Sequence, residues 1–72
     1  MPHIKAHITG TVWKIEVAVG DTVGEGDVIV ILESMKMEMP VETDDAGRIT
    51  EILVHEGQAV TEGQPLAIIE LA

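Results

Sequence analysis

Residues 10–33 can be slid onto residues 47–70 without a gap, a shift of 37 positions, and the chain matches itself. Identities fall at Gly10/Gly47, Ile15/Ile52, Val17/Val54, Gly20/Gly57, Val23/Val60, Glu25/Glu62, Gly26/Gly63, Ile31/Ile68 and Glu33/Glu70, with Val12/Ile49, Val28/Pro65 and Leu32/Ile69 as conservative matches. Glycine meets glycine and apolar meets apolar. One structural unit is therefore used twice, and any fold must accommodate both copies.

Each copy reads as β. Val12, Lys14 and Glu16 alternate with Trp13, Ile15 and Val17, and residues 48–54 repeat the pattern. Residues 28–32 and 66–69 are continuous runs rich in β-branched side chains, as in strands covered on both faces. Gly20-Asp21, residues 24–27, residues 44–47 and residues 62–65 punctuate them as turns. No stretch carries a helical period with caps. Short strands at regular spacing predict an all-β sandwich or flattened barrel, built from two small sheets related by a pseudo-two-fold axis. With 72 residues, the chain (1–72) is expected to be one domain.

The repeat also singles out what is not repeated. Residues 34–39 lie past the end of the first copy, and their counterpart would lie past Glu70, where the sequence ends at Ala72. The symmetry thus predicts Lys36 at one pole and the chain termini at the other. A short link from the strand at residues 28–32 to a second extended piece, residues 38–43, reads as a hairpin with Lys36 at its tip. Met35, Met37 and Met39 crowd this lysine, in a chain with only one other methionine. Methionine is soft and adaptable, and suits surfaces that meet more than one partner. A primary amine on a four-carbon stem becomes a nucleophile once deprotonated, so a separate ligase can acylate it.

Other chemistry finds little support. The single serine, Ser34, has no spacing to His3, His7 or His55 that favours a triad, and no catalytic residue is expected. His55 should face solvent. His3 and His7 are spaced for a helix face but lie in an extended segment, and Glu42, Asp44 and Asp45 lack the glycine-centred spacing of a calcium loop, so no metal site is expected. Gly24-x-Gly26 is followed by Ile29 where a dinucleotide fingerprint needs glycine. Thirteen acids against four scattered bases, a net charge of −9, argue against a nucleic-acid partner. No apolar run reaches membrane-spanning length, and the N-terminus lacks the apolar stretch of a signal peptide. The expected location is the cytoplasm, which the absence of cysteine also fits.

Glu33-Ser34-Met35-Lys36-Met37 resembles the Met-Lys-Met attachment motif of biotinyl domains. With the Gly10 segment, the turns at Gly20-Asp21 and Glu25-Gly26-Asp27, and the second copy through Glu56-Gly57 and Glu62-Gly63, the chain is similar to the biotin/lipoyl attachment family over residues 5–71, particularly to small stand-alone biotin carboxyl carriers. The resemblance implies a flattened β-barrel (a barrel-sandwich hybrid) of two four-stranded sheets, with the modified lysine on an exposed hairpin. It implies covalent biotin on Lys36, installed by a biotin protein ligase that recognises Met35 and Met37. It further implies a biotin carboxylase that uses ATP and bicarbonate, and a carboxyltransferase that hands the carboxyl group to an acceptor. The chain would then be a carrier, not an enzyme, and a monomer in isolation. Two rivals stand beside this: a lipoyl carrier, which usually shows Asp-Lys-Ala at the tip, and an unmodified binding or scaffold module. The inserted loop and long N-terminal region of some bacterial acetyl-CoA carboxylase carriers are missing, since residues 17–28 are too few to hold that loop.

Overall fold

Four glycine turns set the architecture. In residues 18–21, 24–27, 55–58 and 61–64 the N–H of the fourth residue donates to the carbonyl of the first, at 3.0–3.1 Å. The third residue is Gly20, Gly26, Gly57 or Gly63, with φ between 87° and 97°. That is the type II geometry, which is strained for any residue with a Cβ. The fourth residue also turns its side chain back. Asp21 and Asp27 accept from the N–H of Ala18 and Gly24, and Gln58 and Gln64 accept from His55 and Thr61. Aspartate in one half and glutamine in the other supply the same acceptor, so the repeat survives a change of residue.

Between these turns the chain forms strands. The computed structural model describes residues 2–72. In order they are β1 (His3–Lys5), β2 (Gly10–Ile15), β3 (Thr22–Val23), β4 (Val28–Ser34), β5 (Met37–Glu42), β6 (Gly47–Ile52), β7 (Ala59–Val60) and β8 (Pro65–Leu71). They make two four-stranded sheets of order β1-β8-β6-β3 and β5-β4-β2-β7, antiparallel throughout. A shift of 37 residues carries β5, β4, β2 and β7 onto β1, β8, β6 and β3, so the expected pseudo-two-fold relates the sheets strand by strand. Even the irregularities repeat. The bulge between Val12 and Lys14 has its counterpart between Ile49 and Glu51.

The two sheets share one apolar filling. Val12, Ile29, Val30 and Leu32 of the first half meet Ile49, Leu66, Ala67 and Ile69 of the second, all essentially excluded from water. The only buried polar residue among those described, Thr43, is satisfied: its hydroxyl donates to the Asp45 carbonyl and accepts the Asp45 N–H. The bulge corrects the strict alternation read for residues 12–17. Val12 points into the core, Trp13 and Lys14 are both exposed, and Ile15 and Val17 return inward, half-buried.

Gly10 and Gly47 answer to a different constraint. They sit where β2 and β6 press on the backbones of β4 and β8. A Cβ on Gly10 would lie 2.5 Å from the Glu33 carbonyl oxygen, and one on Gly47 would collide with that of Glu70. Neither neighbour is a flexible side chain, so the backbone itself would have to move. Gly10→Ala should therefore lower the unfolding free energy by about 1–3 kcal/mol, as overpacking does, read as a lower urea midpoint with an unchanged slope. A midpoint equal to wild type would show that β2 can retreat freely.

Candidate functional site

The hairpin between β4 and β5 closes on the facing pair Ser34 and Met37, leaving two residues, Met35 and Lys36, to turn the chain. Both have positive φ, 52° and 63°, and they are the only non-glycine residues of the described chain that do. A two-residue loop with both φ values positive is the type I′ turn, whose twist matches that of the flanking strands and which asparagine and glycine normally fill. Side chains with a Cβ pay for it, by about 1–2 kcal/mol per residue. The strands on either side impose it: β4 is a seven-residue central strand held by β2 and by β5. Strain of this kind collects at functional positions, where the surroundings over-determine the backbone.

The turn sends Lys36 into solvent. Met35 is 92% exposed and Met37 60%, Met39 is half-buried, and Val41 is fully covered. Met37, Met39 and Val41 occupy alternate positions of β5, so the core face of this strand thins out toward the tip. The described residues form two ion pairs, Lys14–Glu16 and Arg48–Glu70, each at 3.6 Å, and neither includes Lys36. The amine is thus held out on a rigid support with no neighbour occupying it. That fits acylation by an external enzyme, where nothing buried needs to rearrange. Gly10, read in the sequence only as part of the repeat, supports this from behind: it lies against the Glu33 carbonyl and the Ser34 Cβ at the base of the hairpin.

Of the remaining candidates, His3, Glu42, Asp44 and Asp45 line one shallow depression, and His7 lines a second with Glu42 and Asp44. His3, His7 and His55 are all exposed, as are Glu42, Asp44 and Asp45. Among the described residues, no three His, Asp or Glu side chains come close enough to share a metal ion.

The model of the family described as biotin-requiring enzyme, Biotin_lipoyl, matches residues 1–69. The chain belongs to this family. A biotinylated protein of Mycobacterium leprae is 41% identical over 66 residues, covering 92% of this chain and 93% of that protein. The alpha3 subunit of a biotin-dependent acyl-coenzyme A carboxylase from the same organism is 48% identical over 67 residues, covering 93% of this chain but 11% of the subunit. The crystal structure of the Kluyveromyces lactis urea carboxylase superposes with a TM-score of 0.91 at 38% identity, covering 96% of this chain and 6% of that one. The Biotin_lipoyl unit thus stands nearly alone in one relative and is a small part of much larger carboxylases in the others.

The strain at the tip is measurable. Asparagine tolerates the left-handed region better than methionine, so Met35→Asn should stabilise the protein by up to about 1 kcal/mol, seen as a raised urea midpoint. A fall in stability would mean that Met35 contributes packing that its exposure does not reveal.

Proposed function

We propose that Lys36 is the residue that carries biotin, through an amide between its Nζ and the biotin carboxyl group, and that residues 1–72 act as one attachment domain. The observation that supports this most directly is a lone, exposed, unpaired lysine on a strained two-residue turn, in a chain of the biotin-requiring family. The chain is a carrier, not a catalyst, a reading that the small biotinylated relative supports. When bound, biotin supplies the nitrogen that takes up and gives back a carboxyl group.

The chain's own residues do the rest. A ligase offers an activated acyl group; the deprotonated Lys36 amine attacks it, an amide forms, and the activating group leaves with the electron pair. The hairpin then holds the arm clear of the barrel while the β4–β5 ladder keeps its base fixed. Tethering raises the local concentration of the carried group at each active site the arm can reach. Met35 and Met37, exposed beside the amine, offer a deformable apolar surface to the ligase and to the partner active sites. The partners are a biotin protein ligase, a biotin carboxylase and a carboxyltransferase. We place the carrier in the cytoplasm, as a monomer when isolated. Among the described residues no helix is long and apolar enough to cross a membrane.

Incubation with a biotin protein ligase, ATP and biotin should add one biotinyl mass, located on Lys36 by peptide mapping. Lys5 and Lys14, on strands rather than on a turn, should stay unmodified. Modification that persists in Lys36→Ala would overturn the assignment. Met35→Leu with Met37→Leu should leave Tm within about 1–2 °C, since exposed substitutions change stability little, while biotin transfer slows several-fold. A large loss of stability with normal transfer would make these methionines structural.

A further inference from the structure

The pseudo-two-fold provides an internal comparison, because one backbone is dressed with two sets of outward-facing side chains. In the sheet that bears Lys36, Lys14 faces Ile31 and Ile31 faces Pro40, a row running across β2, β4 and β5. Trp13, the extra residue of the bulge, shares the position opposite Ile31 and is 46% exposed. The counterpart row in the other sheet is Glu51, Ile68 and His3, with Thr50 in place of Trp13. There Thr50 donates to the Ile68 carbonyl. The same bulge is thus capped by a small hydroxyl in one sheet and by a large exposed indole in the other.

Charge divides the two faces as well. Around the Trp13 row lie Glu16, Glu33, Glu38 and Glu42; Lys14 pairs with Glu16 at 3.6 Å, and Lys5 and His7 lie beside Pro40 and Glu42 at the edge of the sheet. Glu33 and Glu38 face each other directly, like charges on neighbouring strands, which weakens a ladder. Around the opposite row stand Glu51 and Glu70, and Arg48 pairs with Glu70 at 3.6 Å. Thr11 takes the place of Arg48 in the Lys36 sheet, so Glu33 has no such cation. An identical backbone accommodates a face with a threonine in place of the indole and a cation paired to its glutamate. The acidic, indole-bearing face is therefore not something the fold requires.

We propose that the outer face of the β5-β4-β2-β7 sheet, centred on Trp13, Ile31 and Pro40 and rimmed by Glu16, Glu33, Glu38 and Glu42, docks the enzyme that carboxylates the loaded arm, through an apolar patch ringed by Lys and Arg on that enzyme. The proposal rests on the biotin-carrier reading above. The face is continuous with the Lys36 hairpin, so a protein seated on it meets the arm. An exposed tryptophan within an acidic rim is the make-up of an interface anchor, with charges that steer encounter. An active site that must gather bicarbonate, an anion, is itself electropositive and complements this rim.

The second sheet supplies the substitutions for the test, since its residues already sit on this backbone. Trp13→Thr and Glu42→Lys, singly and together, copy Thr50 and Lys5. Each variant and the wild type is fully biotinylated, checked by intact mass and thermal melting, and offered to the biotin carboxylase of the same host at varied carrier concentration. The double variant should show a KM for carrier raised about tenfold or more, with kcat and the rate of biotinylation unchanged. Glu51→Gln and Leu53→Ala, on the opposite face, should leave KM as it is. An unchanged KM in the double variant, or an equal rise from the opposite-face variants, would overturn the docking surface. Slowed biotinylation to the same degree as carboxylation would assign the face to the ligase and also overturn it. A wild type that takes no biotin at all would sink the carrier reading and this proposal with it, an outcome visible before any KM is measured.

Discussion

Everything in this small barrel depends on an exchange between its halves. β3 follows β2 in the chain but pairs with β6 in the other sheet, and β7 follows β6 but pairs with β2. The exchange is fastened by backbone bonds: Gly20 N–H to the Ile49 carbonyl and Ile49 N–H to the Asp21 carbonyl on one side, Gly57 to Val12 and Val12 to Gln58 on the other. Each sheet is completed by a strand it does not own. Neither copy of the repeat can close its core alone, and a chain with a single tryptophan and no disulfide gains a cooperative unit from two marginal ones.

That interlock lets the hairpin carry strain. A two-stranded ribbon ending in Met-Lys would not choose a type I′ turn by itself. Here β4 lies at the centre of its sheet, its core face fully covered, and the turn inherits the twist of a strand that cannot yield. Backbone preference and global fold disagree in the sign of φ at two neighbouring residues and at no other non-glycine position described. Disagreement of this kind, confined to one spot, is what a functional position looks like in an otherwise self-consistent chain.

Much of this was legible in the residues. The shift of 37 announced two equivalent halves, and the glycines at 20, 26, 57 and 63 announced turns that the structure resolves as type II. Lys36 stood out because it broke the repeat. The backbone at Met35 and Lys36 was not legible, because neither residue favours the left-handed region and only the assembled sheet puts them there. The bulge at Trp13 was hidden for a related reason. Period-two alternation assumes an unbroken ladder, and one extra residue reverses which side chains face water from that point on. Exchange of β3 and β7 between sheets leaves no local trace either, since two-residue strands have no pattern of their own.

The interlock also bears on timing. Pairing β3 with β6 and β7 with β2 joins segments distant in sequence, and such long loops close late. Until they close, residues 28–42 have only β2 beside them, and the unfavourable turn lacks the support of the finished barrel. The presented shape of Lys36 thus depends on pairings distant from it in the sequence. An enzyme that read this shape, rather than the bare sequence around the lysine, would sense whether the whole chain had finished folding. On the reading proposed for Lys36, unfolded copies would then be poor acceptors by geometry alone.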